Sequence, residues 1–373
     1  MRSFFLLICL TVVFAAKDYS GFKVLRVKPP DKRAYDFLKS LEYGFNFWKE
    51  SRGVGHEADI LIPGDSHQFL ASKLEELGFD IKVMIEDVQL LIDEQMNTNT
   101  TSFDYNIYHT MDEITAWMDD MISMHGDMVS KEAFARTYEG RDVYKMKLLD
   151  DYNSSRTDNL IDLMEFHVVP VFNVDGYIFT WEEDRMWRKT RKPNEGRVCV
   201  GTDPNRNYDN HWGTSGTNDI PCSQAYMGTR ACSEIEIQTM QDHILSIRDR
   251  VGVFMDVHAY SEYWMYPYGW TMQTANDYEE LNAASKVAVD AIESLYGRNY
   301  AYGPISIVIY PASGCSADWA YDNAKIKHSY ALELRDTGEY GLLLPASEIQ
   351  PSSEELFVGC EALVRHLKET SVI

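Results

Sequence analysis

The sequence predicts an α/β protein in two units: a small antiparallel α/β sandwich over residues 17–98, then a larger unit over residues 99–373 built on a mixed, largely parallel sheet flanked by helices. Three observations carry this. Beyond residue 110, apolar runs of strand character alternate with stretches of helical periodicity, the order that covers a parallel sheet on both faces. Before that point, short strands and helices follow one another closely and end in an Asn/Thr/Ser run at residues 97–102, the composition of a linker. The chain has 373 residues, 45% of them apolar and 13% aromatic, which is enough for one large core beside a smaller one.

Taken in order, residues 1–16 read as a secretory signal peptide, with Arg2 in a short basic start, an apolar run at residues 4–14 and a small-residue exit at Ala15 and Ala16. That run is too short to span a bilayer and no later stretch is longer, so the expectation is a soluble, secreted, extracellular protein. In the first unit residues 22–27 alternate as a strand, 31–51 read as a helix, 59–62 as a strand, 66–77 as a helix stopped by Gly78, 79–85 as a strand and 86–94 as a helix. The second unit opens on a helix whose Thr110 and Glu113 form a capping box ahead of Ile114, Trp117, Met118 and Met121. Strands are expected at residues 143–149, 167–173, 251–257 and 329–334. A helix over residues 277–296 carries Leu281, Ala284, Ala288, Ile292 and Leu295 on one face, with Gly297 as its stop.

The net charge of -23 excludes nucleic acid and anionic membranes as partners, because the long-range field repels both. Six cysteines in a secreted chain permit disulfides, and Cys9 leaves with the signal. Cys199 and Cys222 bracket a polar, Gly- and Asn-rich loop and are the best pair, which leaves Cys232, Cys315 and Cys360. Asn99 and Asn153 fit the glycan acceptor pattern.

In parallel sheets ligands gather at the carboxyl ends of strands. His258 follows an apolar run and Glu333 lies near the end of its strand, so both can face one crevice, although each alone reads as well as a structural or solvent-facing residue. The motifs Tyr138-Glu139-Gly140-Arg141, Val174-Asp175-Gly176-Tyr177, Met186-Trp187-Arg188-Lys189-Thr190-Arg191, Asp203-Pro204-Asn205-Arg206-Asn207, His258-Ala259-Tyr260-Ser261, Tyr266-Pro267-Tyr268-Gly269 and Glu333-Leu334-Arg335-Asp336-Thr337-Gly338 decide between these. In this order they resemble the pancreatic-type zinc metallocarboxypeptidases of the carboxypeptidase A/B family.

The resemblance implies a zinc-exopeptidase-like fold preceded by an activation propeptide at residues 17–98. It implies one Zn2+ with His258 as a ligand, Glu333 as the general base and Arg188 as the cation that polarises the scissile carbonyl. Asn205, Arg206 and Tyr310 match the clamp for a substrate's terminal carboxylate, and Tyr260 falls among the substrate-binding positions. Ala317 and Ile305 fall in the specificity pocket, where an uncharged wall implies apolar or aromatic C-terminal residues. Implied partners are peptide or protein C-termini and an activating protease, with the chain a monomer.

One stretch departs from the family. Two further zinc ligands are expected from a His-x-x-Glu turn on a strand–helix unit after Lys147, yet Lys147 runs directly into Leu148, leaving the unit over residues 99–373 incomplete. The sole His-x-x-Glu in the chain, His366 to Glu369, reads as a surface pair on the last helix; Glu165 and His167 are a second substitute. Parallel strands need a crossover of about a dozen residues, so the pairing beside residue 147 must differ from the family's. Residues 83–130 contain no Lys or Arg, which excludes trypsin-like activation within them. The expected function is therefore a zinc carboxypeptidase made as a zymogen and impaired in this chain. Two alternatives stay open: an inactive protein that binds peptide C-termini, and an inhibitory role for residues 17–98 alone.

Overall fold

The structure is a computed structural model and describes residues 16–96, 103–148 and 160–370. The signal stretch, the linker at residues 97–102 and both glycan acceptor sites lie outside the described residues, apart from Ala16.

The first unit comprises β1 (Lys23–Lys28), α1 (Lys32–Leu41), β2 (Asn46–Lys49), β3 (Ala58–Ile62), α2 (Gly64–Glu76), β4 (Asp80–Ile85) and α3 (Val88–Met96). Its sheet has the order β2-β3-β1-β4 and every pairing is antiparallel. Asp31 caps α1 by accepting from the Ala34 amide at 2.9 Å. The helix expected over residues 31–51 is broken in two, because the chain turns at Gly44 and Phe47 pairs with Ile60 as strand. Leu25, Val27, Leu38, Ile60, Leu70 and Leu74 form this unit's own core.

The second unit runs through α4 (Met111–His125), β5 (Val129–Arg136), β6 (Asp142–Leu148), α5 (Leu160–Leu163), β7 (Phe166–Val168), α6 (Val174–Glu182) and α7 (Ile235–Ile247). It continues with β8 (Val253–Ala259), β9 (Tyr263–Tyr266), α8 (Tyr278–Tyr296), β10 (Ala301–Pro304), α9 (Ile305–Val308), α10 (Ser316–Asp322), β11 (His328–Leu334) and α11 (Ile349–Glu369). The predicted capping box opens α4: Thr110 accepts from the Glu113 amide while Glu113 accepts from the Thr110 amide at 2.8 Å. The predicted face of α8 packs on Trp264, Tyr266 and Tyr330, except that Leu295, in the last turn before Gly297, is exposed. The strand expected at residues 167–173 is reduced to three residues, since Pro170 has no N–H for a ladder and Asn173 turns to cap α6. Strand β5, which pairs along β6, was not anticipated.

Strands of this unit lie in two sheets, β5-β6-β7 and β10-β9-β11-β8. In the second, β11 is parallel to β8 and antiparallel to β9, and β10 is parallel to β9. Among the described residues strands β7 and β8 each end their sheet, and Val168 and Val257 on them are both 43% exposed.

The first unit closes on the second. Tyr19, Val24, Leu61, Ile85, Val88 and Ile92 pack with Met186 and Leu343. Arg26 reaches the Thr337 carbonyl at 3.0 Å, and Gln95 donates to the Leu344 carbonyl at 2.8 Å.

Candidate active site

Strand β8 carries His258 and its parallel neighbour β11 carries Glu333, paired in register. This register places both at the carboxyl end of the sheet, facing a cavity of about 410 Å3. All the residues singled out as candidates for chemistry or substrate binding line that one cavity: Arg188, Asn205, Arg206, His258, Tyr260, Ile305, Tyr310, Ala317 and Glu333. His366 and Glu369 lie on α11 outside it, and Glu165 and His167 pair with each other at 2.5 Å elsewhere.

Arg206 sits in the depth of the cavity, 4% exposed. Its Nε donates to the Gly216 carbonyl at 2.8 Å, Nη1 to the Asn205 carbonyl at 2.8 Å, and Nη2 reaches the Tyr310 hydroxyl at 3.5 Å. Burial works against its charge, but the field of Asp203 and Tyr310 outweighs burial and holds the guanidinium firmly protonated. Gly216 makes this grip possible: at φ +56° its backbone presses against Pro311, and an added Cβ would lie 1.8 Å from the Pro311 carbonyl oxygen.

Arg188 is exposed toward the opening and leans on Asp203, with Nε at 3.1 Å and Nη2 at 3.0 Å from one carboxylate oxygen. Asp203 is buried, and its other oxygen accepts from the Asn205 amide at 3.0 Å, which fixes the short turn at residues 204–206. The Asn205 side chain is engaged at both its amide nitrogen and its oxygen. Its side-chain amide meets His258 Nε2 at 3.0 Å, and its carbonyl oxygen accepts from the Ser316 amide at 2.8 Å.

His258 Nε2 also pairs with Asp256 at 2.9 Å, and Asp256 accepts from the Ser316 hydroxyl. Burial disfavours the imidazolium, yet the Asp256 charge and hydrogen bond prevail and raise the His258 pKa to about 9. Burial likewise pushes Asp256 up, and His258 and Ser316 more than offset it, leaving its carboxyl below the usual range. Sequence reasoning missed Asp256. The signal was present, because residues i and i+2 of a strand share a face. Glu333 has a buried Oε2 with no hydrogen-bond partner, and burial raises its pKa to about 7, against the pull of His258 and Arg188.

Ala317 is fully buried on α10 and forms an apolar wall with Met265, Ile305 and Ala331. The first unit also lines the cavity, with Phe45 to Glu50, and holds Tyr260: the tyrosine donates to Asp59, which Arg26 grips through two bonds of 2.7 Å. The structure joins Cys199 to Cys222, while Cys232, Cys315 and Cys360 are free thiols.

A family model described as zinc carboxypeptidase matches residues 145–359, and one described as carboxypeptidase activation peptide matches residues 25–95. The chain belongs to the zinc carboxypeptidase family. Carboxypeptidase A1 of Bos taurus is 36% identical over 412 residues, covering 96% of this chain and 98% of the relative. Carboxypeptidase A2 of Mus musculus is 34% identical, covering 96% of each. Among solved structures, that of thrombin activatable fibrinolysis inhibitor matches with TM-score 0.86 at 30% identity, covering 92% of this chain and 98% of that one. The alignment with the bovine relative is longer than the 373 residues of this carboxypeptidase-family chain, so the relative carries residues with no counterpart here.

The family implies Zn2+. The residues described here do not fit it. Among them no group of three or more His, Cys, Asp or Glu side chains could hold a metal ion, and His258 Nε2 is already paired with Asp256. A hydrolytic zinc needs three protein ligands and an open position.

Proposed function

We propose that this chain is a secreted, propeptide-bearing carboxypeptidase-family protein that captures the C-terminal residue of peptides, with apolar or aromatic residues preferred and with the hydrolytic step impaired. One observation carries the reading: Arg206 is buried at the end of the cavity with three of its N–H groups already committed. A guanidinium has five, and the two left match a carboxylate in bidentate geometry. The wall of Ala317, Ile305 and Met265 offers no charge to a basic side chain and suits an apolar one.

In this reading Glu333, near pKa 7, moves a proton and Arg188, at the opening, meets a developing negative charge. Among the described residues the donor set around His258 falls short of a metal site, which supports impairment. The residues of the first unit that line the cavity make capture depend on displacing that unit, as in a zymogen. The chain acts as a monomer on peptide or protein C-termini once a protease without trypsin-like specificity has cut the linker.

Calorimetry on the cleaved protein with a tripeptide ending in Phe, as free acid and as amide, tests the reading together with zinc analysis. The free acid binds and amidation weakens binding by about tenfold or more. Equal binding of acid and amide sinks carboxylate capture, and one tight zinc per chain with peptide turnover sinks the impairment.

A further inference from the structure

A second cavity, of about 220 Å3, opens at the seam between the two units. Lys28, Lys49, Arg52 and His56 of the first unit line it, opposite Tyr263 and Ile309 of the second. In a chain of net charge -23 such a gathering of cations is unexpected. Two acids also line it and offset part of this charge; each also has a longer contact to a cation outside the cavity, Glu57 to Arg26 at 3.5 Å and Glu50 to Lys39 at 3.4 Å, although Arg26 and Lys39 pair more closely with Asp59 and Glu42.

The Lys28 side chain has no hydrogen bond or ion pair among the described residues, and Lys49 makes only a long contact of 3.4 Å to the Tyr263 hydroxyl while lying over that ring. Arg52 donates through Nε to His56 Nδ1 at 3.0 Å and through Nη1 to the carbonyls of Ile307 and Val308. Because His56 accepts at Nδ1, its proton is on Nε2, which makes that nitrogen a donor. The crowding shows in the imidazole itself: burial first, then the charges of Arg52 and Lys28, lower its pKa.

We propose that this seam cavity binds one sulfate or phosphate group, held by Lys28, Lys49, Arg52 and the Nε2–H of His56. The space suffices for the anion with some of its water, at about 30 Å3 per water. Neutralising the cluster removes the repulsion among its members, and an anion there keeps Arg52 against the segment that leads to Tyr310. The group acts as a clip between the units, and the site is independent of the peptide-capture reading.

The test is titration calorimetry of the full chain with sodium sulfate and sodium phosphate, with chloride holding ionic strength constant. One saturable site is expected, weakened about tenfold or more by Lys28→Glu and unchanged by Lys368→Glu, a control on α11. Unfolding temperature rises with sulfate over chloride in the wild type and not in Lys28→Glu, which is exposed and therefore leaves the fold intact. A sulfated disaccharide that displaces sulfate identifies a glycan as the source of the group, and one that does not identifies the free ion. No saturable binding, or equal loss in both variants, overturns the site.

Discussion

Arg206 is the residue on which the proposed capture turns, because Gly216, Asn205 and Tyr310 hold its guanidinium in one direction. Arg206→Ala should weaken the free-acid tripeptide by about 1.5–3 kcal/mol, the range for hydrogen bonds to a charged group, and Arg206→Lys should not rescue it, since an ammonium has no planar fork. Competition with a fluorescent peptide measures both. At His258 the prediction concerns pH. Its folded pKa, about 9, is above the ordinary value of 6.5, so its contribution to stability is complete below 6.5 and is lost as pH rises through 9. Glu333, raised from 4.5 to about 7, holds its proton longer in the folded state, and its share is lost between those values. Urea midpoints should therefore fall from pH 5 to 9, and Asp256→Asn should flatten the upper half while the His258 imidazole resonance titrates lower. The motif residues around the cavity were legible because each stands in a short pattern. Asp256 carries a weaker signal, its place two residues before His258 on the same strand face, which a reading by short motifs passes over.

At the scale of elements, the turn through Gly216 is as much part of the proposed clamp as the arginine. Gly216→Ala forces the turn off Pro311 and should cost peptide affinity comparably to Arg206→Ala, while circular dichroism stays native; unchanged affinity would show that the turn does not position Arg206. The capping box is separable from the site, and Thr110→Ala should lower stability by about 1 kcal/mol in urea with no change in peptide binding. Elements with strong end signals were legible, such as α4 with its box and α8 with Gly297. Where tertiary pairing decides, reading the sequence overran: residues 31–51 have helical character, but Phe47 gains more beside Ile60 than in a second helical stretch. Strand β5 was missed because its alternation, with charges at Lys131, Glu132 and Arg136, looks like solvent-facing chain until β6 is laid beside it.

For the molecule as a whole, the two-unit order was visible in composition and periodicity, whereas the division of the second unit into two sheets depends on which strands find partners. That division has a colloidal consequence. Among the described residues strand β8 has a neighbour on one side only, beside an exposed Val257, with no lysine or proline on the strand to discourage a visiting chain. Repulsion between bodies of net charge -23 opposes such pairing. Salt shortens the reach of that repulsion from about 10 Å at 0.1 M to about 3 Å at 1 M, so light scattering from a stored solution should grow with sodium chloride. Val257→Lys should suppress the growth, and a scattering rate indifferent to both salt and Val257→Lys would refute the account. Dispersion of the chain should therefore follow its charge and fade as the ions of the medium accumulate.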